Sequence, residues 1–186
     1  MSKGRLFQQI LKNRRISQPQ TLVLAGAANA EVLNAVCQAE RDGYITPVLV
    51  GVKTDINNII AENFPEKLDA WEVVHAVGEE EICETSVALI RSRPRAFLSK
   101  GLVNTGPLCK ALFRHKKEFG IEGLVSHISL LELPWYEKVL GLSDSSINIA
   151  PSIDEKEQIL KKLLPTPPAK PEKYCPHTGQ QTKPNQ

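Results

Sequence analysis

The chain has 186 residues, with 23 basic and 21 acidic side chains and a formal net charge of +2. This length suggests one domain, or one domain with part of a second, and the near balance of charge excludes a strongly basic nucleic-acid binder and a polyacidic tail protein. Its apolar runs fall short of the roughly 20 residues that span a bilayer, and the N-terminal residues show no secretory signal. The sequence therefore predicts a cytoplasmic protein without a membrane segment.

The first part of the chain alternates between strand-like and helix-like segments. Residues 6–13 have the spacing of a short amphipathic helix, and the apolar run 21–25 is typical of a buried parallel strand. Gly26 ends this strand, and Asn29 can cap a helix that closes at residues 41–43. This segment predicts one strand followed by a crossover helix.

The alternation continues through the next forty residues or so. The sequence predicts strands at 47–51 and 71–75, with Thr54 capping a helix through Ile60 between them. Residues 79–91 predict a third crossover helix, because acidic residues fill its first turn and arginine ends it, as the helix dipole favours.

A fourth strand is predicted at 95–99 and a helix at about 107–115. Two more strands, 126–133 and 138–142, are separated by too few residues for a crossover helix, so they predict a hairpin. Strands and helices that alternate in this way predict a doubly wound, mostly parallel α/β sheet with right-handed crossovers.

The character of the sequence changes near its end. Ser152 and Glu155 form a capping box, which predicts a helix over 155–164. Residues 165–186 hold six of the 13 prolines and almost no large apolar side chain, so we expect them to be disordered. The four cysteines match neither a zinc site nor a disulfide framework, which predicts reduced thiols and no metal site.

Ligands of open parallel sheets bind outside the carboxyl ends of the strands, and three such ends carry candidate residues. The turn after residues 21–25 matches a dinucleotide-binding fingerprint only loosely, and an ordinary strand-to-helix turn is the favoured interpretation. Lys100 and Gly101 precede polar residues at a helix N-terminus. This arrangement predicts either an anion-binding site or a simple helix cap beside solvated lysines. Lys110 could turn toward the same space.

The third strand end is the polar segment 143–151. Its Asp144 and Asn148 could bind a ligand hydroxyl or amide, or could satisfy the backbone of a turn, which is the favoured interpretation from these residues alone. His127 is similarly ambiguous between a structural, hydrogen-bonded side chain and a proton carrier, with the structural role favoured.

Several of these stretches together resemble the phosphate acetyl/butyryl transferase family, nearest its phosphate butyryltransferase branch, over residues 1–162. The stretches that carry the resemblance are VLAGAANAEVLNAV (23–36), ITPVLVG (45–51), KGLVNT (100–105), SHISLLELPWYEKVLGLSDSSINIAP (126–151) and EKEQIL (155–160). The resemblance implies the isocitrate/isopropylmalate dehydrogenase-like fold, with an active site between two α/β domains, of which this chain holds the N-terminal half. Residues 1–150 would form the first domain and residues 151–164 the start of the second.

The resemblance also implies the reaction acyl-CoA + phosphate = acyl phosphate + coenzyme A. It implies the coenzyme A thioester as a substrate, no tightly bound cofactor, no nucleic-acid or membrane partner, and homo-oligomeric full-length relatives. Lys110 stands where the family commonly carries arginine. The substrate-binding residues implied by the two motifs, lining one cleft, are Lys100, Gly101, Asn104, Thr105, Lys110, Ser143, Asp144 and Asn148.

Members of this family are nearly twice as long as this chain. The half without a counterpart here includes a serine, arginine and aspartate motif that the resemblance identifies as catalytic, so no catalytic residue is assigned. We therefore expect a truncated phosphate acyltransferase with impaired activity. The alternative is a non-catalytic α/β domain that binds phosphate or a nucleotide.

Overall fold

A computed structural model of the chain describes residues 18–144 and 146–163. They form two compact units, a larger one over 18–122 and a smaller one from Gly123 onward. The domain boundary between 150 and 151 stays a prediction. The helix predicted over 6–13 and the tail predicted over 165–186 lie outside the described residues.

The larger unit is a four-stranded parallel sheet with the strand order β3-β2-β1-β4. Two single-turn 3₁₀ helices, Pro65–Lys67 and Lys116–Phe119, lie between or after the main elements. The main elements are β1 (Gln20–Ala25), α1 (Ala30–Arg41), β2 (Ile45–Gly51), α2 (Lys53–Asn63), β3 (Glu72–His75), α3 (Glu79–Ser92), β4 (Phe97–Lys100) and α4 (Thr105–Arg114). The predicted alternation of strands and helices is confirmed in this unit.

Both faces of the sheet are covered because successive strand side chains point to opposite sides. Leu24 and Leu49 pack with α1 and α2 on one face. Val23 and Val50 face α3 on the other, where Ala25 also packs with α3 and α4. The near-continuous apolar strands were typical of this double burial, and the sheet is doubly wound as predicted.

The predicted caps have different outcomes. The Asn29 side chain accepts a hydrogen bond from the Val32 N–H at 2.9 Å, which confirms it as the cap of α1. The prediction for Thr54 is wrong, because α2 begins at Lys53 and Val52 precedes it without a side-chain cap. Only one residue separates β2 from α2, so Thr54 already lies inside the first helical turn.

The smaller unit contains a hairpin and one helix. β5 (Ser129–Glu132) and β6 (Val139–Leu142) pair antiparallel, which confirms the hairpin, although β5 is shorter than predicted. The helix α5 (Ile153–Leu163) begins with the predicted capping box. The Ser152 N–H donates to Glu155 Oε2 at 2.8 Å, and the Glu155 N–H donates to Ser152 Oγ at 3.3 Å.

Membrane-spanning helices, metal-binding clusters and disulfides are all absent from the described part of the chain. No helix among the described residues is long and apolar enough to cross a membrane. They contain no group of three or more histidine, cysteine or acidic side chains that could hold a metal ion. Their cysteines are free thiols, with Cys37 and Cys83 buried and Cys109 half-buried.

A charged cluster joins α3 to the chain that follows α4. The two ring nitrogens of His115 contact carboxylates, with Nδ1 2.8 Å from Glu118 Oε1 and Nε2 2.9 Å from Glu84 Oε2. Arg114 also pairs with Glu84, and Arg91 pairs with Glu118. Because both ring nitrogens face acceptors, the doubly protonated imidazolium fits this cluster best.

We therefore expect His115 to titrate above the ordinary histidine value of about 6.5. The hydrogen bond to Glu118 contributes most to raising the pKa of His115, and the hydrogen bond to Glu84 raises it further. Because the folded-state pKa is raised, the stabilisation that protonated His115 gives to the fold is complete below pH ~6.5. It is lost as the pH rises through the folded-state pKa of His115. An NMR titration of the His115 ring should show this, and Glu118→Gln should move the pKa back toward 6.5. Glu122→Gln, an exposed carboxylate outside the cluster, is the control, and a His115 pKa at or below 6.5 contradicts the cluster.

Candidate functional site

The carboxyl ends of β1 and β4 mark the switch point of the sheet. These strands are neighbours, yet the chain leaves β1 toward α1 on one face and leaves β4 toward α4 on the other. Two loops therefore diverge from one crevice, and ligands of doubly wound sheets bind at such a point. The first two candidate segments of the sequence, after residue 25 and after residue 99, meet here.

The two loops touch through their glycines. The Gly101 N–H donates to the Ala25 carbonyl and the Leu102 N–H donates to the Gly26 carbonyl, each at 2.8 Å, so the strand pairing extends past β1 and β4. A Cβ atom at position 101 would overlap the Gly26 carbonyl oxygen, and Gly26 itself has φ +74°. Only glycine fits this approach.

Lys100 closes the loop that follows β4. Its ammonium donates to the Val103 carbonyl at 2.8 Å and to the Gly101 carbonyl at 3.4 Å. The side chain is exposed, so its charge stands beside the loop while it also binds the loop backbone. Lys100 thus shapes the predicted anion site as well as adding a positive charge to it.

The N-terminus of α4 is held by a residue that the sequence analysis missed. Glu79, the first residue of α3, accepts a hydrogen bond from the Asn104 N–H at 2.5 Å through Oε1. The Asn104 side chain caps none of the first N–H groups of α4, and Asn104 and Thr105 are both exposed. The three consecutive glutamates that begin α3 were a signal, but their contact with residue 104 joins separate elements and has no local pattern.

Lys110 lies in a different setting from Lys100. It lines a groove of about 500 Å³ between α3 and α4, together with Glu79, Glu80 and Glu84. The residues that line this groove include neither Lys100 nor Gly101. The structure therefore brings Lys100, Gly101 and Asn104 together around one loop, with Thr105 next in the chain, and places Lys110 in a groove that three glutamates also line.

In the third candidate segment, which lies in the smaller unit, polar side chains form hydrogen bonds with one another and with nearby backbone groups. Asp144 Oδ1 accepts hydrogen bonds from the Ser146 and Ile147 N–H groups, each at 3.0 Å. The Asn148 amide donates to Asp144 Oδ2 and, at 2.9 Å, to the Val125 carbonyl. These contacts are those of the turn interpretation, in which the polar side chains satisfy loop backbone.

Ser143 belongs to the same arrangement. Its hydroxyl donates to the His127 carbonyl at 2.7 Å, so the segment after β6 is tied to the segment before β5. The structure thus brings Ser143, Asp144 and Asn148 together around residues 125–127. The His127 side chain lies with Nδ1 3.5 Å from Ser129 Oγ, and the structural role favoured for it from the sequence stays a prediction.

The electrostatics of this cluster follow from its donors. Desolvation raises the pKa of the Asp144 carboxyl, but hydrogen bonds from the Ile147 and Ser146 N–H groups, the Asn148 amide and the His127 backbone outweigh it. The pKa of Asp144 is therefore held well below its usual range. Asp144 stays ionised and acts as the acceptor at the centre of the loop.

Comparisons with known proteins point in one direction, although no protein-family model matches the chain. The probable phosphate butyryltransferase of Bacillus subtilis is 27% identical over 158 residues, which cover 85% of this chain and 52% of that protein. The phosphate acetyltransferase of Rhizobium meliloti is 25% identical, covering 85% and 50%. The phosphate butyryltransferase of Clostridium acetobutylicum is 26% identical, covering 85% and 52%. The chain resembles phosphate acetyl- and butyryltransferases.

Solved structures agree with this likeness. A branched-chain phosphotransacylase from Enterococcus faecalis matches with a TM-score of 0.60 and 26% identity, over 76% of this chain and 49% of that one. A phosphotransacetylase from Streptococcus pyogenes, at 13% identity, shares the fold with a TM-score of 0.68 over 86% and 56%. The resemblance stated from the sequence motifs is confirmed, and the chain spans about half the length of the curated relatives it matches.

Gly101→Ala should destabilise the larger unit because the new methyl group collides with the backbone of Gly26. We expect a loss of about 1–3 kcal/mol in the free energy of unfolding, measured by urea denaturation. Gly106→Ala is the matched control, since nothing lies within 4 Å of a Cβ there and alanine favours the helix. Equal stabilities for the two variants would contradict the close approach.

Asp144→Ala should free the loop backbone in the smaller unit. We expect amide hydrogen exchange at Ser146 and Ile147 to speed up by at least about tenfold, because their acceptor is gone. A lowered pKa means that the wild-type contact is intact above pH ~3.9 and is lost only as the pH falls through the folded-state value. Asp154→Ala, in the first turn of α5, serves as the control, and unchanged exchange at both amides would count against the cluster.

Proposed function

We propose that the chain supplies part of a phosphate acyltransferase site, which exchanges an acyl group between coenzyme A and inorganic phosphate. The observation that carries the proposal is the loop after β4, which leaves the switch point and enters a helix without a side-chain cap. The likeness to proteins named for this reaction supports it. We extend the proposal to an isocitrate/isopropylmalate dehydrogenase-like whole fold, a cytoplasmic location and no tightly bound cofactor.

The chemistry explains why this loop suits the reaction. A phosphate oxygen attacks the thioester carbonyl carbon, the carbon–sulfur bond breaks, and coenzyme A leaves as the thiolate with the bonding electrons. Negative charge grows on the carbonyl oxygen and on sulfur, so oriented N–H donors and a nearby cation lower the barrier. Holding phosphate against the thioester supplies much of the remaining acceleration.

The residues of this loop divide that work. The Asn104 N–H is already bound to Glu79, so phosphate would meet the N–H groups of Thr105 and Gly106 at the positive end of α4. Lys100 would add a full charge while holding the Val103 carbonyl. Lys110 offers charge without the paired donors of an arginine, so its contribution to phosphate binding would be weaker and less directional.

In the smaller unit, Ser143, Asp144 and Asn148 would serve substrate binding by fixing the loop around residues 143–148. Their polar atoms already have partners within the unit, which favours the second candidate function, a non-catalytic domain that binds phosphate or a nucleotide. No residue of the chain is assigned to the chemical step, and the chain spans half the length of its relatives. We therefore propose that its activity alone is low.

Lys100→Ala tests the proposal directly. We expect the variant to raise the phosphate KM about tenfold while changing the butyryl-CoA KM by less than about twofold, because a charge-assisted contact to phosphate is lost. The assay is phosphate-dependent thiol release from butyryl-CoA, with calorimetry of phosphate and coenzyme A binding where turnover is slow. Lys117→Ala, an exposed lysine of the 3₁₀ helix after α4, is the matched control.

The possible outcomes separate the two candidate functions. Phosphate-dependent thiol release that responds to Lys100 supports the acyltransferase. Binding of coenzyme A or phosphate with no release at any phosphate concentration favours the non-catalytic domain. Release that is independent of phosphate, or kinetics identical in the wild type and the Lys100 variant, would overturn the role given to this loop.

A further inference from the structure

A groove of about 530 Å³ lies on the larger unit, between one face of α2 and residues of the segment 68–73 that leads into β3. We call it the α2 groove. It is on the side of the sheet where β3 is the last strand, and it shares no lining residue with the loops after β1 and β4. Its volume is in the range of pockets that hold small molecules. The α2 groove has no part in the proposed acyltransferase site.

The α2 wall of the groove carries hydrogen-bond donors. Lys53 and Asn57 are one helical turn apart and Asn58 follows, and all three line the groove. Among the described residues, neither the Lys53 ammonium nor the side-chain amide of either asparagine has a hydrogen-bond or ion-pair partner. An ammonium and two amides without partners form a donor set that suits a carboxylate.

Asn57 carries a further sign that the fold does not use this side chain. Its Oδ1 is buried and accepts no hydrogen bond within the described residues. Native proteins leave few buried polar atoms unpaired, and each one calls for an explanation beyond folding. Because Asn57 lines the groove and its oxygen is enclosed, its NH₂ group is the end of the amide that is open to a ligand.

The second wall combines a negative charge with apolar surface. Asp69 is exposed and has no ion-pair partner in the described part of the chain. Leu68 is 38% exposed and Val73 is half-buried, and both line the groove together with Trp71. This wall therefore offers an acceptor for a cation and apolar contacts for a side chain.

Contacts behind the second wall hold it in place. The Trp71 indole N–H donates to Glu40 Oε2 at 2.9 Å, and the Lys67 ammonium pairs with the same oxygen at 2.7 Å. The Trp71 ring also packs on Phe64, with 5.7 Å between the ring centroids. A wall fixed in this way is preorganised, so a ligand does not have to order it on binding.

We propose that the α2 groove binds an α-amino acid with an apolar side chain. The carboxylate would bind Lys53 and the Asn57 amide, and the ammonium would bind Asp69. The side chain would lie against Leu68 and Val73. The two protein charges have opposite signs and neither has a partner, which matches a ligand that carries both charges. The inference is independent of the proposed acyltransferase function.

L-leucine is the probe, because it has both charges and an apolar side chain. The chain has two tryptophans, so in the full-length Trp135→Phe variant the emission comes from Trp71 in the groove wall. We expect saturable binding in fluorescence and in calorimetry, with a dissociation constant below about 1 mM. L-leucinamide lacks the carboxylate and 4-methylpentanoate lacks the ammonium, so each should bind at least about tenfold more weakly.

Two variants remove one protein charge each. Lys53→Met keeps the length and the helix propensity of the side chain, and Asp69→Asn keeps its shape. We expect each to weaken L-leucine binding at least about tenfold, with an unchanged circular dichroism spectrum. Asp55→Asn, in the first turn of α2 but outside the groove lining, is the matched control and should bind like the parent chain.

Three results would overturn the proposal. If neither Trp71 emission nor calorimetry shows saturation up to about 10 mM L-leucine, the groove holds only water. If either analogue binds as tightly as L-leucine, only one of the two charges is recognised. If binding survives both Lys53→Met and Asp69→Asn, the amino acid binds elsewhere on the chain.

Discussion

The backbone contact between Gly26 and Gly101 is the constraint on which the larger unit depends. The hydrogen bonds from Gly101 and Leu102 keep β1 and β4 paired beyond their ends, at the place where the chain turns to opposite faces of the sheet. If either residue carried a side chain, the two loops would separate, and α1 and α4 would shift with them. The pairing of β1 with β4, the divergence of the chain to both faces of the sheet and the candidate site all depend on this contact.

The same loop is held by charge as well as by sterics. Lys100 binds the carbonyl of Val103, and Glu79 binds the N–H of Asn104, so a cation and an anion of the protein each occupy one polar group of the backbone. A phosphate that approaches α4 meets the helix dipole and Lys100 as attraction and Glu79 as repulsion. The glutamate thus fixes the geometry of the loop, at a cost in affinity for any anion that binds there.

Most of the larger unit could be predicted from the sequence because its signals are local. The apolar run before Gly26 and the cap at Asn29 each depend on neighbouring residues, and the structure has both. The cap predicted at Thr54 was wrong because a single residue links β2 to α2, so the helix begins before Thr54. Glu79 was missed because its partner, Asn104, is distant in sequence, and no spacing rule joins a glutamate to a backbone N–H of another element.

The smaller unit shows the opposite balance between polar order and apolar cover. Asp144 accepts hydrogen bonds from two backbone N–H groups and one side-chain amide, so this loop finds its polar partners within the unit. The apolar interactions of the unit are few, because a hairpin and one helix enclose a single buried hydrophobic side chain among the described residues. Hydrogen bonds give a loop its shape, whereas burial supplies most of the free energy that holds elements together. The unit therefore has fixed turns but little buried apolar surface among its described residues.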